Sequence, residues 1–333
     1  VVTSESFAKG ILGITEDDIV FSAARLFFSY GLGNGMYFPM SVGASAVLSA
    51  HAPSPENVFR HLEKFRPTIF FGVPTLYGQM LEYKAKEDKE RGIKKANPND
   101  QHELSSVRVC VSAGEALPVD IFERWKKRFG IEIIDGIGST EMLHIFLSNR
   151  PGDIKPGSTG KPVPGYELRL VDESGQEVPR GEIGTLHVKG DSAAQQYWRK
   201  REKTRVTMQG EWVNTGDKYY IDEDGYYWCA GRADDMLKVG GIWVSPIEVE
   251  NTLSQHPAVL ECAVVGAPDA KNLIKPKAFV ILRNGYEKTE ELKEELKKWV
   301  LDRQAKFKYP RWVEFVDELP KSATGKIQRF RLR

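Results

Sequence analysis

Over its first 150 residues the chain alternates short apolar runs with stretches of helical period, and that alternation most limits what it can fold into. Residues 56–66 place Val58, Phe59, Leu62 and Phe65 on one helical face, after Pro53, Ser54 and Pro55. Residues 68–71 then read as a buried strand, 74–86 as a helix, 107–111 as a strand and 118–129 as a helix. Strands alternating with helices predict an α/β layer with parallel strands. The charged, proline-containing stretch 87–102 reads as a surface excursion.

Residues 151–230 have a different pattern. Short strands at 167–171 and 184–188 and a hairpin at 219–228 predict a mostly antiparallel, barrel-like subdomain. Residues 235–333 predict a small α+β unit: a helix from Pro246, strands at 262–266 and 276–282, a helix at 289–301 and a strand at 312–316. The fold class expected is α/β, a layered large domain with a β-rich subdomain and a small C-terminal unit. Its 333 residues suit about two domains.

Composition narrows function. With 41% apolar and 28% charged residues, the chain is an ordinary globular one, and a formal net charge of +1 gives no general pull toward nucleic acid or anionic lipid. The longest apolar stretch, near residues 37–50, is broken by Pro39 and falls short of the ~20 residues that span a bilayer. Cys110, Cys229 and Cys262 lie far apart in apolar runs, with neither metal spacing nor a disulfide framework. A reducing, cytoplasmic setting is therefore expected. No signal peptide is visible.

Between the hairpin and the helix from Pro246 runs Gly231-Arg232-Ala233-Asp234-Asp235-Met236-Leu237-Lys238-Val239-Gly240-Gly241. Two adjacent acids favour exposure, and paired glycines free the backbone, which suits a swivel between two bodies. Acids and glycines alone fit a polar linker as well. Gly138-Ser139-Thr140-Glu141 follows a strand, at the edge where open α/β sheets bind ligands. Thr140 can donate to a phosphate oxygen and Glu141 can hold Mg2+, although a helix N-cap explains the pair too. Asp217, in Asn214-Thr215-Gly216-Asp217, can accept two hydrogen bonds from a ribose diol, or simply belong to an Asx turn. Lys326, in Pro320-Lys321-Ser322-Ala323-Thr324-Gly325-Lys326-Ile327-Gln328-Arg329, taken alone is a solvated lysine. Gly157-Ser158-Thr159-Gly160-Lys161 lacks the spacing of a phosphate loop and leads into a strand. No metal site built only of protein ligands is supported.

Taken together and in order, the motifs near positions 30, 114, 140, 217, 232 and 326 resemble those of the adenylate-forming enzymes: acyl-CoA synthetases, adenylation domains and luciferases. The resemblance covers nearly the whole chain. It implies a nucleotide site built from Gly114, Glu115, Ala116, Asp135, Gly136, Ile137, Ser139, Thr140, Asp217 and Arg232, with Glu141 on Mg2+ and with Lys326, Thr140 and Glu141 catalytic. Many relatives carry an aromatic where Ile137 stands. It further implies an N-terminal domain over 1–233 (α/β layers to 150, then the β-rich part), a C-terminal lid over 234–333, and a hinge at Asp234. Gly240, Gly241 and Trp243 would face coenzyme A.

Within that family the likeness is to benzoate-CoA and hydroxybenzoate-CoA ligases, carried by residues 26–34 and 140–146. Ser29, Tyr30, Gly114, Gly138 and His144 would then bind the substrate, the glycines leaving room for a flat ring. Taken singly, Tyr30 reads as a core aromatic and His144 as a satisfied helix histidine. The activity implied is an ATP-dependent aryl-CoA ligase for a small aromatic carboxylate, using ATP, Mg2+ and coenzyme A. A homodimer is compatible with the sequence; nucleic-acid and membrane partners are not expected. Two alternatives stand beside it, an aryl-acid adenylation domain that loads a carrier protein and a non-catalytic ligand-binding remnant. The family's phosphate-clamping loop would lie upstream of Val1, so the chain reads as an N-terminally truncated, impaired copy.

Overall fold

A computed structural model of the chain describes residues 2–90, 104–240, 242–322 and 326–333. The alternating segment folds as β1 (Ile19–Ser22), α1 (Ser29–Leu32), α2 (Phe38–Val42), β2 (Ser45–Val47), α3 (Pro55–Phe65), β3 (Ile69–Gly72), α4 (Pro74–Glu90), β4 (Val109–Ala113), α5 (Val119–Phe129), β5 (Ile133–Gly138), β6 (Ile145–Ser148) and β7 (Lys161–Pro162). These strands form one seven-stranded sheet in the order β2-β1-β3-β4-β5-β6-β7. Pairing is parallel from β2 to β5, whereas β6 and β7 join antiparallel. Residues 87–90 continue α4 rather than leaving the surface as expected; 91–102 of that stretch lie outside the described residues.

Strand alternation explains the layering, since successive side chains point to opposite faces. Phe70, Cys110 and Ile133 join a core with Phe59 and Leu62 of α3, Tyr77 and Met80 of α4, and Phe122, Trp125 and Phe129 of α5. Phe71, Val111 and Ile134 point the other way, toward Phe38, Phe146, Leu186, Val213 and Tyr219. That second face is covered chiefly by another sheet, built from β8 (Glu167–Val171), β9 (Gly184–Lys189), β10 (Met208–Gln209), β11 (Trp212–Ile221) and β12 (Tyr227–Arg232), with α6 (Arg201–Thr207) before β10. Its order is β10-β11-β9-β8, with β12 on β11. Every described pairing in it is antiparallel and the sheet is open, so the barrel-like expectation is corrected.

The remaining residues form β13 (Leu237–Val239), β14 (Ile242–Val244), α7 (Pro246–Ser254), β15 (Val259–Pro268), β16 (Ile274–Leu282), α8 (Glu290–Leu301) and β17 (Trp312–Phe315). The Ser245 hydroxyl caps α7 by accepting from the Glu248 amide at 3.1 Å, and Thr289 caps α8 in the same way. Val249, Leu253, Leu292, Leu296 and Val300 of these helices pack on one face of β15-β16-β17. Arg283, just after β16, reaches back to Glu82 of α4 at 2.7 Å and Asp120 of α5 at 3.1 Å. Arg124 holds the same two carboxylates, at 2.5 and 3.2 Å.

Trp125 is fully buried, edge-on to Tyr77 with ring centroids 4.7 Å apart. Trp125→Ala should lower the unfolding free energy by about 3–5 kcal/mol, read as a lower urea midpoint by far-UV circular dichroism. An unchanged midpoint would show that this layer contributes little.

Candidate active site

The parallel strands β3, β4 and β5 end on one edge, and the turns that follow them line a cleft of about 1910 Å³. Gly114, Glu115 and Ala116 follow β4; Ser139, Thr140 and Glu141 follow β5. Opposite stand Thr215, Gly216 and Asp217 of β11 and Arg232 of β12, and a third wall comes from Pro320, Lys321, Ser322, Lys326 and Ile327. Ser29, Tyr30, Asp135, Gly136, Ile137, Gly138 and His144 line it as well. The sequence-predicted site residues are thus brought together except on the coenzyme side. Gly240 turns the β13–β14 hairpin at φ 58°, and Trp243 is half-exposed beneath the Lys238 ammonium, 5.4 Å from its ring centroid. Neither lines the cleft, and Gly241 lies outside the described residues.

The turn after β5 is not a helix, so the N-cap explanation of Thr140 and Glu141 falls, and His144 is no helix histidine. The chain instead reverses sharply into β6. A Cβ on Gly138 would stand 2.4 Å from the His144 carbonyl oxygen, so only glycine lets the strands close. The expected role of Gly138, room for a ring, is therefore corrected: the turn's own backbone takes that space. Gly33 makes the room beside His144 instead, since a Cβ there would lie 2.4 Å from His144 Cδ2. The Thr140 hydroxyl donates to Ser29 Oγ at 3.4 Å. Glu141 accepts from the Tyr197 hydroxyl, and the Ala194 amide donates to the Glu141 carbonyl at 2.7 Å. Burial raises the Glu141 carboxyl, but Tyr197, its own amide and Ser139 outweigh this and hold it below the usual carboxylate range.

Tyr30 and His144 stand side by side, ring centroids 5.5 Å apart. The Tyr30 hydroxyl donates to the carbonyls of Gly72 and Val111, each at 3.2 Å. His144 Nε2 lies 3.1 Å from Asn34 Oδ1 and 3.2 Å from the Tyr30 carbonyl, while its Nδ1 has no protein partner. At the cleft floor, Asp135 Oδ1 is likewise buried without a partner, and burial pushes its carboxyl well above the usual carboxylate range. That free oxygen can accept from an exocyclic amine of a purine. Among the described residues no three His, Cys, Asp or Glu side chains cluster as a metal cage.

Across the cleft, the Gly216 amide donates to Asn214 Oδ1 at 2.9 Å, closing an Asx turn. The Asx-turn reading of this tetrapeptide holds, and Asp217 beyond it faces Arg232 Nη1 at 3.1 Å. Burial pushes the Asp217 carboxyl up, and Arg232 and Lys326 offset part of that. Arg232 also donates to the Thr215 carbonyl at 3.0 Å. The two acids that follow part company. Asp234 is exposed and lies 3.8 Å from Arg232, whereas Asp235 accepts from Arg333 and lies 3.8 Å from Arg329.

Lys326 crosses the cleft. Its Cε lies 3.5 Å from where a Cβ on Gly114 would sit, an ordinary contact, and what favours glycine at 114 is its φ of 101°. Glu115 was expected on the nucleotide, yet its Oε1 accepts the Ile327 amide at 2.8 Å. Sequence reasoning also missed Tyr197 and Lys203, both in the cleft wall. Only the aromatic pair Tyr197 and Trp198 in a polar run hinted at that segment.

A family model described as "AMP-binding enzyme" matches residues 1–198, and its companion, "AMP-binding enzyme C-terminal domain", matches 248–326. The chain belongs to the AMP-binding enzyme family. It is 57% identical over 333 residues to the benzoate–CoA ligase of Thauera aromatica, covering 99% of this chain and 60% of that protein. It is 48% identical to a 4-hydroxybenzoate–CoA/benzoate–CoA ligase of Rhodopseudomonas palustris, covering 97% and 58%. Its backbone matches the anthranilate CoA ligase AuaEII in complex with anthranoyl-AMP (TM-score 0.92, 53% identity, 100% of this chain and 62% of that one). A benzoate CoA ligase from Burkholderia xenovorans matches at TM-score 0.90 and 55% identity, over 100% and 64%. The chain therefore spans about 60% of the length of the relatives it matches.

Burial depresses the pKa of His144 to about 3. Unfolded histidine titrates near 6.5, so the unfolded chain binds the extra proton between those values and stability must fall as pH drops from about 6.5 toward 3. At pH 5 this amounts to about 2 kcal/mol. His144→Gln should flatten that part of the stability-versus-pH curve; an unaltered slope would mean His144 is charged when folded.

Proposed function

We propose that this chain carries the nucleotide and acyl sites of an ATP-dependent aryl-CoA ligase, with activation and transfer performed by two settings of one lid. The carrying observation is the Lys326 side chain lying in the cleft over Gly114, on the far side from its own chain unit. In the first half-reaction an oxygen of an aromatic carboxylate attacks the α-phosphorus of ATP, forming the acyl-adenylate and releasing pyrophosphate. Charge crowds where carboxylate and phosphate meet, and a fixed ammonium there stabilises the transition state more than the ground state. Lys326 supplies it, and Thr140 donates to a phosphate oxygen.

Asp217 accepts from the ribose hydroxyls with Arg232 beside it, and Asp135 accepts from the adenine amine. Glu141 would hold Mg2+ through its carboxylate, and the bound ion would supply neutralising charge beside the phosphates. Tyr30, His144, Ile137 and Ile145 line one part of the cleft with aromatic and aliphatic groups and one polar edge, which suits an aryl ring. The ligase names of the relatives support the same substrate class.

In the second half-reaction the lid, residues 234–333, turns about Asp234, carries Lys326 away and presents Gly240, Gly241 and Trp243 to coenzyme A. The thiol sulfur then attacks the acyl carbonyl, AMP leaves with the bonding pair, and the thiol proton passes to solvent. Opposite pairing of Asp234 and Asp235 supports a pivot between them. Three free thiols and the absence of any helix, among the described residues, long and apolar enough to cross a membrane agree with a cytoplasmic enzyme.

Lys326→Ala, in a chain completed to the relatives' length, should cut carboxylate-dependent pyrophosphate exchange about 10²–10³-fold. Thioester formation from supplied aryl-adenylate should change by less than threefold. Equal loss of both would overturn the division of labour. Benzoate and hydroxybenzoates should outrun short fatty acids, and free coenzyme A should outrun a carrier protein's thiol; the reverse order would favour the carrier-loading reading.

A further inference from the structure

Glu115 sits in the large body's wall, half-buried, yet its carboxylate is spent on the opposite unit. The amide it takes belongs to Ile327, the residue next to Lys326. The turn that bears them is closed on itself: the Ser322 amide donates to the Lys326 carbonyl at 2.8 Å, the Lys326 amide to Ser322 Oγ at 3.2 Å, and the Gln328 amide to the Pro320 carbonyl at 2.8 Å. These bonds tie Lys326 to Ser322 and Gln328 to Pro320 on either side of Ile327, so a bond at Ile327 sets where the Lys326 side chain starts. Behind it, Arg329 is clamped on both oxygens of Glu250, at 3.0 and 2.7 Å, which ties the turn to α7. Gly114, the neighbour of Glu115, passes under the lysine stem.

We infer that Glu115 is a positioning residue for activation: its carboxylate docks the Ile327 amide and so seats Lys326 over the cleft in one lid orientation only. The inference rests on the two-setting reading above, since a lid turned away withdraws the Ile327 amide from Glu115. Its contribution therefore belongs to the first half-reaction and is released before the second. A nucleotide contact, in contrast, would act through ATP affinity.

The test compares Glu115→Ala with Glu115→Gln in the chain completed to the relatives' length, and each variant's unfolding midpoint serves as the folding control. A lost hydrogen bond to a charged acceptor corresponds to about a 10- to 100-fold effect. E115A should lose that factor in the kcat of pyrophosphate exchange, with the KM for ATP within twofold of wild type. Thioester formation from supplied aryl-adenylate should be unchanged or faster. E115Q keeps an amide oxygen for the Ile327 N–H and should restore most of the exchange rate.

Hydrogen exchange at the Ile327 amide supplies a readout independent of catalysis: it should quicken at least tenfold in E115A and much less in E115Q. A raised ATP KM with kcat preserved, or equal loss in both half-reactions, would overturn the inference. So would Ile327 exchange that ignores the substitution. A wild-type chain with no pyrophosphate exchange would defeat the ligase reading instead, leaving the Ile327 result to judge the docking bond.

Discussion

In the function proposed above, one ammonium group is delivered into a cleft already furnished with carboxylates and then withdrawn from it. Lys326 is held there by a turn that closes on itself and by contacts to a body it does not belong to. Most other features of the molecule serve that delivery. The parallel strands end together so that their turns form a floor; the second sheet carries Asp217 and Arg232 to the opposite wall; the small unit beyond β12 brings the lysine.

Besides the packing of α7 against β12 and α5, two polar contacts fix the small unit in this setting. At the rim, Arg283 shares Glu82 and Asp120 with Arg124, a network of half-buried charges that salt weakens. At the cleft, Glu115 and Gly114 meet the Lys326 turn directly. Neither contact is an extensive apolar seam. The cores on the two sides, around Trp125 and around Leu253 and Leu296, are each closed within their own unit. Polar, separable contacts between well-packed bodies are what a moving lid requires.

Much of this was legible in the residues. The helices of α3, α4 and α5 and the strands β3 and β4 fell within a few positions of the apolar periodicity, because buried strands and amphipathic helices write their own period. The motif residues, read by resemblance, do gather in one cleft. What escaped were facts of tertiary return. The sharp reversal at Gly138 makes β6 antiparallel, and no local signal marks that reversal, since it is set by the close approach of the His144 carbonyl. Tyr197 meets Glu141 across 56 positions of chain, in a stretch without periodicity. Glu115 was assigned by its neighbours in the motif, whereas its partner is 212 positions away. The fate of the two acids, one turned to Arg232 and the other to Arg329 and Arg333, depends on pairings that spacing cannot encode.

The central claim is that one chain takes two lid settings in turn. The distance between spin labels on α5 and α8, measured by pulsed electron resonance, tests it most directly in the chain completed to the relatives' length. With a non-reactive aryl-adenylate analogue alone, the label distance should match the arrangement described above. With an analogue that joins the aryl-adenylate to a pantetheine arm, a second, well-separated distance should dominate. A single distance under both conditions would contradict the account.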